Sequence, residues 1–259
     1  MISGCFNYGY VHPEKVITEF VSGGIYGEGG KNYTSGTSTV NTKNSLAIKD
    51  CYNYGKIEAH GFAGGIVGRT ATVAPETNYK YSISYCGNEG EVTVTDAGRS
   101  TCGAGGIAGY LYGTAGNEIT RCYNVGSVTA IGNNATGNVR SSGIISYFNG
   151  QKIMLQHSYN AGTVSANGAN ATAYQLFYNN NENGSDSTYI KNNHALYVKG
   201  AVYEKNGTQA SSVTTFTEAE LKDGTLRDRI NGTAWEFIYW QNVEMENHPM
   251  LRTDEGLTL

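Results

Sequence analysis

The chain has 259 residues, 39% of them hydrophobic and 15% charged, with a net charge of −4. That length can bury a sizeable core, while mild acidity without a basic stretch argues against nucleic acid or an anionic membrane surface as a partner. No apolar run approaches a membrane span, so no membrane insertion is expected.

The 35 glycines and 20 tyrosines, with only 3 prolines, suit short strands joined by tight turns rather than disorder. No positively charged region followed by an apolar stretch opens the sequence. Repeat text begins almost at once, at Ile2 and Cys5. The chain is therefore expected to be a piece of a longer protein, and its compartment cannot be read from a leader.

Taken along the chain, one block recurs. Cys5-Phe6-Asn7-Tyr8-Gly9-Tyr10-Val11 returns as Cys51-Tyr52-Asn53-Tyr54-Gly55-Lys56-Ile57 and as Cys86-Gly87-Asn88-Glu89-Gly90-Glu91-Val92. It returns again from Cys122 to Val128 and from Ser158 to Val164, the starts lying 46, 35, 36 and 36 residues apart. An aliphatic residue stands three places before each copy, at Ile2, Ile48, Ile83, Ile119 and Leu155. Ile190 extends that series into a degenerate sixth copy over 189–200. A second block alternates with the first: Gly23-Gly24-Ile25-Tyr26-Gly27, Gly64-Gly65-Ile66-Val67-Gly68, Gly105-Gly106-Ile107-Ala108-Gly109 and Ser142-Gly143-Ile144-Ile145-Ser146. The blocks persist while the intervals vary, as in a solenoid whose insertions leave at fixed corners.

Segments such as Tyr81–Tyr85, Glu91–Thr95 and Ile107–Tyr112 read as short strands, and the repeats lack runs with helical periodicity. The expected fold is all-β: a right-handed parallel β-helix with a small α/β C-terminal cap. Residues 1–200 would form about six repeats and 201–259 the capping segment. Each repeat would make one coil of about three strands, or two smaller coils. Near the C-terminus Thr217 and Glu220 have capping-box spacing, which predicts a helix toward Ile230, weakened by Gly224. Trp235, Phe237, Ile238, Tyr239, Trp240 and Pro249 would then cover the last coil.

The alternation of these two blocks resembles the GLUG-type repeats of secreted and surface proteins of gut and oral bacteria, with Ile66 and Ile107 where that family has leucine. Similar repeats occur in the non-catalytic β-helix of some immunoglobulin A metallopeptidases. The resemblance implies an extracellular or cell-surface β-solenoid module within a larger bacterial protein. It carries no catalytic residue, and no His-Glu-x-x-His motif is present.

Candidate chemistry is sparse. Cys5, Cys51, Cys86 and Cys122 share one repeat position, continued by Ser158 and Asn193. Without close Cys-x-x-Cys pairs they read as a reduced structural ladder rather than a metal site, and no metal or cofactor is expected. Asn7, Asn53, Asn88, Asn124 and Asn160 form a second column, able to hydrogen-bond along the stack. Acids are scattered, Arg69, Arg99, Arg121 and Arg140 share no single repeat position, and no histidines pair at ligand spacing. Phe6, Tyr52, Tyr123 and Tyr159 lie between inward Cys and Asn positions, so they should point outward. They form either a partly exposed ladder able to stack on sugars or proteins, or a stack between coils covered by a loop.

The leading functional expectation is a non-catalytic, adhesin-like or stalk module. It would bind host or microbial glycans or surface proteins through the loops Tyr26–Asn44, Arg69–Lys80 and Ile131–Arg140. The alternative is a β-helix polysaccharide lyase or glycoside hydrolase, favoured by two clustered carboxylates or an Arg-plus-acid pair in a groove.

Overall fold

The structure is a computed structural model, and it describes residues 1–15, 20–28, 33–35, 38–40, 46–70, 80–98, 100–113, 117–133, 137–150, 153–168, 170–179, 190–191, 193–198, 201–204, 213–231, 240–242 and 248–251.

The period becomes a coil. Ile48 pairs in parallel with Ile2 on one side and Ile83 on the other, and Ile83 with Ile119 in turn. Each repeat is thus one coil, and the protein is a β-solenoid. The aliphatic position builds a sheet of Ile2–Ser3, Leu46–Lys49, Tyr81–Ser84, Asn117–Thr120, Ile153–Gln156 and Ile190–Lys191. The first block builds a second sheet from Phe6–Asn7, Tyr52–Asn53, Gly87–Asn88, Tyr123–Asn124 and Tyr159–Asn160, extended by Asn193–Leu196 and Val213–Phe216. A third sheet holds Ile57–Ala59, Val92–Thr95, Val128–Gly132 and Val164–Gly168.

The fourth sheet has two rows. One is Val21–Gly23, Phe62–Gly64, Thr101–Gly105 and Asn138–Ser142; the other is Tyr26–Glu28, Val67–Arg69, Ala108–Gly113 and Ile145–Gly150. The Gly-Gly-Ile bend separates the rows, and the long strand Ala171–Asn179 pairs with both. A full coil therefore has five short strands where about three were expected, because the second block folds back on itself instead of running straight.

The corner before the Cys column is left-handed in five successive coils, at Gly4, Asp50, Tyr85, Arg121 and His157, with φ between 51° and 62°. Two antiparallel pairs depart from the solenoid, Tyr33–Ser35 with Ser38–Val40 and Trp240–Asn242 with Pro249–Leu251.

Both glycine columns are explained by the approach of backbone to backbone. A Cβ on Gly55, Gly90, Gly126 or Gly162 would lie 2.0 Å from the carbonyl oxygen of the equivalent glycine one coil earlier. A Cβ on Gly65 would lie 2.3 Å from Asn88 Oδ1 of the next coil.

Inside, Ile48, Ile83, Ile119 and Leu155 pack on Ile66, Ile107 and Ile144 with the cysteines. Ile57, Val92 and Val128 pack on Ala63, Ala104 and Val139.

At the C-terminus Thr217 caps the helix Glu218–Lys222 through a complete capping box. Gly224, at φ +91°, ends that turn before a second helix, Thr225–Asn231. The expected single helix is therefore two. Trp235, Phe237, Ile238 and Tyr239 lie outside the described residues.

Candidate ligand-binding surface

The columns read from sequence are neighbours in the structure. Asn7, Asn53, Asn88 and Asn124 each donate Nδ2–H to the Oδ1 of the next asparagine, ending at Asn160, at 2.7 Å per step. All five also donate to the carbonyl of the glycine two residues on. Asn53 through Asn160 are wholly buried, so this satisfied amide chain holds the coils in register. It stops at Ala195, which pairs with Asn160.

Cys51, Cys86 and Cys122 are also buried, Cys5 partly so, and no disulfide joins them. Their thiols donate to the carbonyl two residues back. Burial pushes the Cys86 thiol well above its usual range, and hydrogen bonding to Cys86, then burial, does the same for Cys51. Ser158 and Asn193 continue the column, Ser158 accepting from Cys122 N–H and Asn193 from Ser158 N–H.

The aromatic column requires a correction. Phe6, Tyr52, Tyr123 and Tyr159 do point outward from the coil, and neighbouring centroids are 5.7, 6.4 and 5.6 Å apart. Only Phe6 is exposed; Tyr52, Tyr123 and Tyr159 are buried. The C-terminal segment lies over them through Phe216, Leu226, Ile230, Trp240, Met250 and Leu251. That segment therefore covers the flank of several coils rather than only the face of the last one. The physical reason is that the outward tyrosine rings form an apolar flank that Trp240, Met250 and Leu251 can bury.

The tyrosine hydroxyls find partners beneath the cover. Tyr123 donates to Glu89 at 2.8 Å, and Tyr159 donates to the Pro249 carbonyl at 2.7 Å. Gly87 interrupts the column because the Tyr123 ring occupies its side-chain space, 2.3 Å from where a Cβ would stand.

His194 follows Tyr159 in register and is 3% exposed. Burial, then the Arg229 charge, lowers its pKa from 6.5 to about 4. In the unfolded chain the imidazole protonates near pH 6.5, whereas in the fold it stays neutral until about pH 4. Its contribution is full above pH 6.5 and is lost as pH falls through 4, a change of about 3 kcal/mol. Urea midpoints across pH 7.5 to 4 should fall steeply for the native chain and less for His194→Gln. Parallel curves would disprove the assignment.

A second aromatic surface was missed in the sequence. It lies on the outer side of the fourth sheet, where Ala63, Ala104 and Val139 point to the core and their neighbours point away. The residue directly after each second block occupies one row there: Glu28, Arg69, Tyr110 and Tyr147, in register. Tyr110 and Tyr147 stack at 5.0 Å and 16°, and Tyr147 and Tyr178 at 5.6 Å and 27°. Phe62 leans on Tyr110 at 4.8 Å. Arg69 binds Glu28 at 2.6 Å, and the Arg140 guanidinium lies 3.9 Å from the Tyr178 ring centre. Tyr110, Tyr112 and Tyr147 are half-buried, whereas Phe62, Arg69, Arg140 and Tyr178 are buried.

The strands of this sheet run out into the intervals expected to bind. Of those intervals, residues 29–32, 36–37, 41–45, 71–79 and 134–136 lie outside the described residues.

Carboxylates meet at one further place. Lys56 bridges Glu58 at 3.0 Å and Glu91 at 3.3 Å, and Tyr10 donates to Glu58. The hydrogen bond from Tyr10 lowers the Glu58 pKa, burial works against it, and the hydrogen bond from Lys56 adds to the lowering. Among the described residues no group of three His, Cys, Asp or Glu is placed to hold a metal ion. Among them also, no helix is long and apolar enough to cross a membrane.

No family model and no curated protein matches the sequence. The fold is similar to that of a Bacteroides ovatus protein described as a candidate immunoglobulin A1 protease. The superposition has a TM-score of 0.55 and 16% identity, and covers 96% of this chain and 76% of that one. At that identity the likeness is one of fold.

Proposed function

We propose that this chain is a non-catalytic extracellular module of a larger bacterial surface protein, adhesin-like or a stalk, that binds glycan. The observation carrying this reading is the tyrosine column of consecutive coils, in which Tyr110 and Tyr147 stay partly accessible beside the variable intervals while Tyr178 is buried against them. The repeat resemblance and the β-solenoid likeness support a supporting role rather than a catalytic one. The fold alone transfers no protease activity.

The Arg69–Glu28 pair is the observation that favours a lyase or hydrolase instead. There the two groups neutralise each other, which leaves neither poised to exchange a proton with a substrate.

The deciding experiment incubates the pure protein with host and plant polysaccharides, with and without calcium, reading retained protein and new chain ends. Retention without cleavage is expected. Tyr147→Ala should weaken retention several-fold, as expected for one lost ring contact. New chain ends would overturn the non-catalytic reading.

A further inference from the structure

Resting on the glycan-binding reading, we infer that the outer patch selects saccharides carrying a carboxylate, with Arg140 as the anion anchor. Arg140 is 9% exposed, and its Nη1 is buried with no hydrogen-bond partner. Among the described residues no carboxylate pairs with it. Holding a guanidinium out of water is costly unless an anion or hydrogen bonds compensate it.

Arg69 on the same sheet has its anion, Glu28. Among the described residues Arg140 instead meets ring faces, Tyr178 at 3.9 Å and Tyr147 at 5.0 Å. Its partners in register are Gly103 and Thr172, so neither adjacent coil supplies a counter-charge at that position. Between Phe62 and Arg140 the row holds Gly103, whose side-chain position is filled by the Ser146 hydroxyl, 1.8 Å from where a Cβ would stand.

The patch therefore combines what an acidic sugar needs. Tyr110 and Tyr147 stack on each other, so their accessible edges and hydroxyls, rather than their faces, would meet the sugar. The planar fork of Arg140 suits a carboxylate, and ligand binding would supply the charge that no described carboxylate supplies. The competing role for Arg140 is to brace Tyr147 and Tyr178 through cation–π contact alone.

The test measures binding of the 259-residue chain to polygalacturonate, its methyl ester, polysialic acid and a neutral glucan by affinity electrophoresis. At least one acidic polymer should bind roughly tenfold tighter than the neutral ones. The preference should vanish in Arg140→Gln with the thermal midpoint little changed, and return in part in Arg140→Lys. Whichever acidic polymer binds identifies the source of the carboxylate. If Arg140→Gln fails to fold, the comparison of ester with acid on the native chain and Arg140→Lys still decides.

Equal binding of acid, ester and glucan would overturn acid selection while leaving the glycan reading intact. Binding of the acid unaffected by Arg140→Gln would overturn the role of Arg140. Retention on none of these polymers, with Tyr147→Ala equally inert, would overturn both.

Discussion

Gly126→Ala is expected to destabilise the protein by about 4 kcal/mol or more, enough to prevent folding of a marginally stable domain. The new methyl would stand 2.0 Å from the Gly90 carbonyl oxygen and 2.8 Å from its carbon. Both obstacles are backbone, so no rotamer relieves them. The coils would have to separate by about an ångström, and that breaks the ladders on either side of the turn. The control is internal. Gly9 holds the same repeat position in the first coil, where a Cβ meets only Asn7 Oδ1 at 3.5 Å. Gly9→Ala should stay within about 0.5 kcal/mol of the native chain. Urea denaturation of the two variants decides, and equal midpoints would refute the close-approach account.

Asn124→Ala should cost about 3 to 5 kcal/mol, because it strips partners from several buried groups at once. Its Nδ2 donates to Asn160 Oδ1 and to the Gly126 carbonyl, while its Oδ1 accepts from Asn88. Asn160 Oδ1 would keep the Gly162 N–H, but the Gly126 carbonyl and one Asn88 N–H would lose their side-chain partner. Asn7 makes the same two donor bonds at the half-exposed end of the column, its Oδ1 accepting from Gly9 N–H, and there water can replace them. Asn7→Ala should therefore cost less than about 1 kcal/mol. A small effect at both sites would mean that packing, and not the amide chain, sets the register.

The parts of the fold legible in the sequence are those that every coil must satisfy alike. Isoleucine, Cys, Asn and Gly recur because each meets its own equivalent in the neighbouring coil. The direction of Tyr52, Tyr123 and Tyr159 was legible for the same reason, since they alternate with inward residues. Their burial was not legible. It depends on contacts such as Tyr123 with Met250, 127 residues apart, which no periodicity records.

The outer patch was hidden differently. Its row changes chemistry from coil to coil, Glu28 to Arg69 to Tyr110 to Tyr147, so no residue type repeats. Only the constant offset from the second block marks it. Arg69 and Arg140 indeed share no repeat position. They come onto one face because the Gly-Gly bend brings two strands of the same coil side by side.

The uneven cover of the second sheet has a mechanical meaning. Coils joined by ladders at a period of 35 or 36 residues behave as links in a chain under tension, each releasing about 120 Å of extended backbone when it peels away. The C-terminal segment ties together the coils of Tyr123 and Tyr159 through Trp240, His248 and Met250, while the first coil leaves Phe6 and Tyr8 exposed. A load applied through the ends would therefore unravel this solenoid from its N-terminal side, with the strapped coils yielding last.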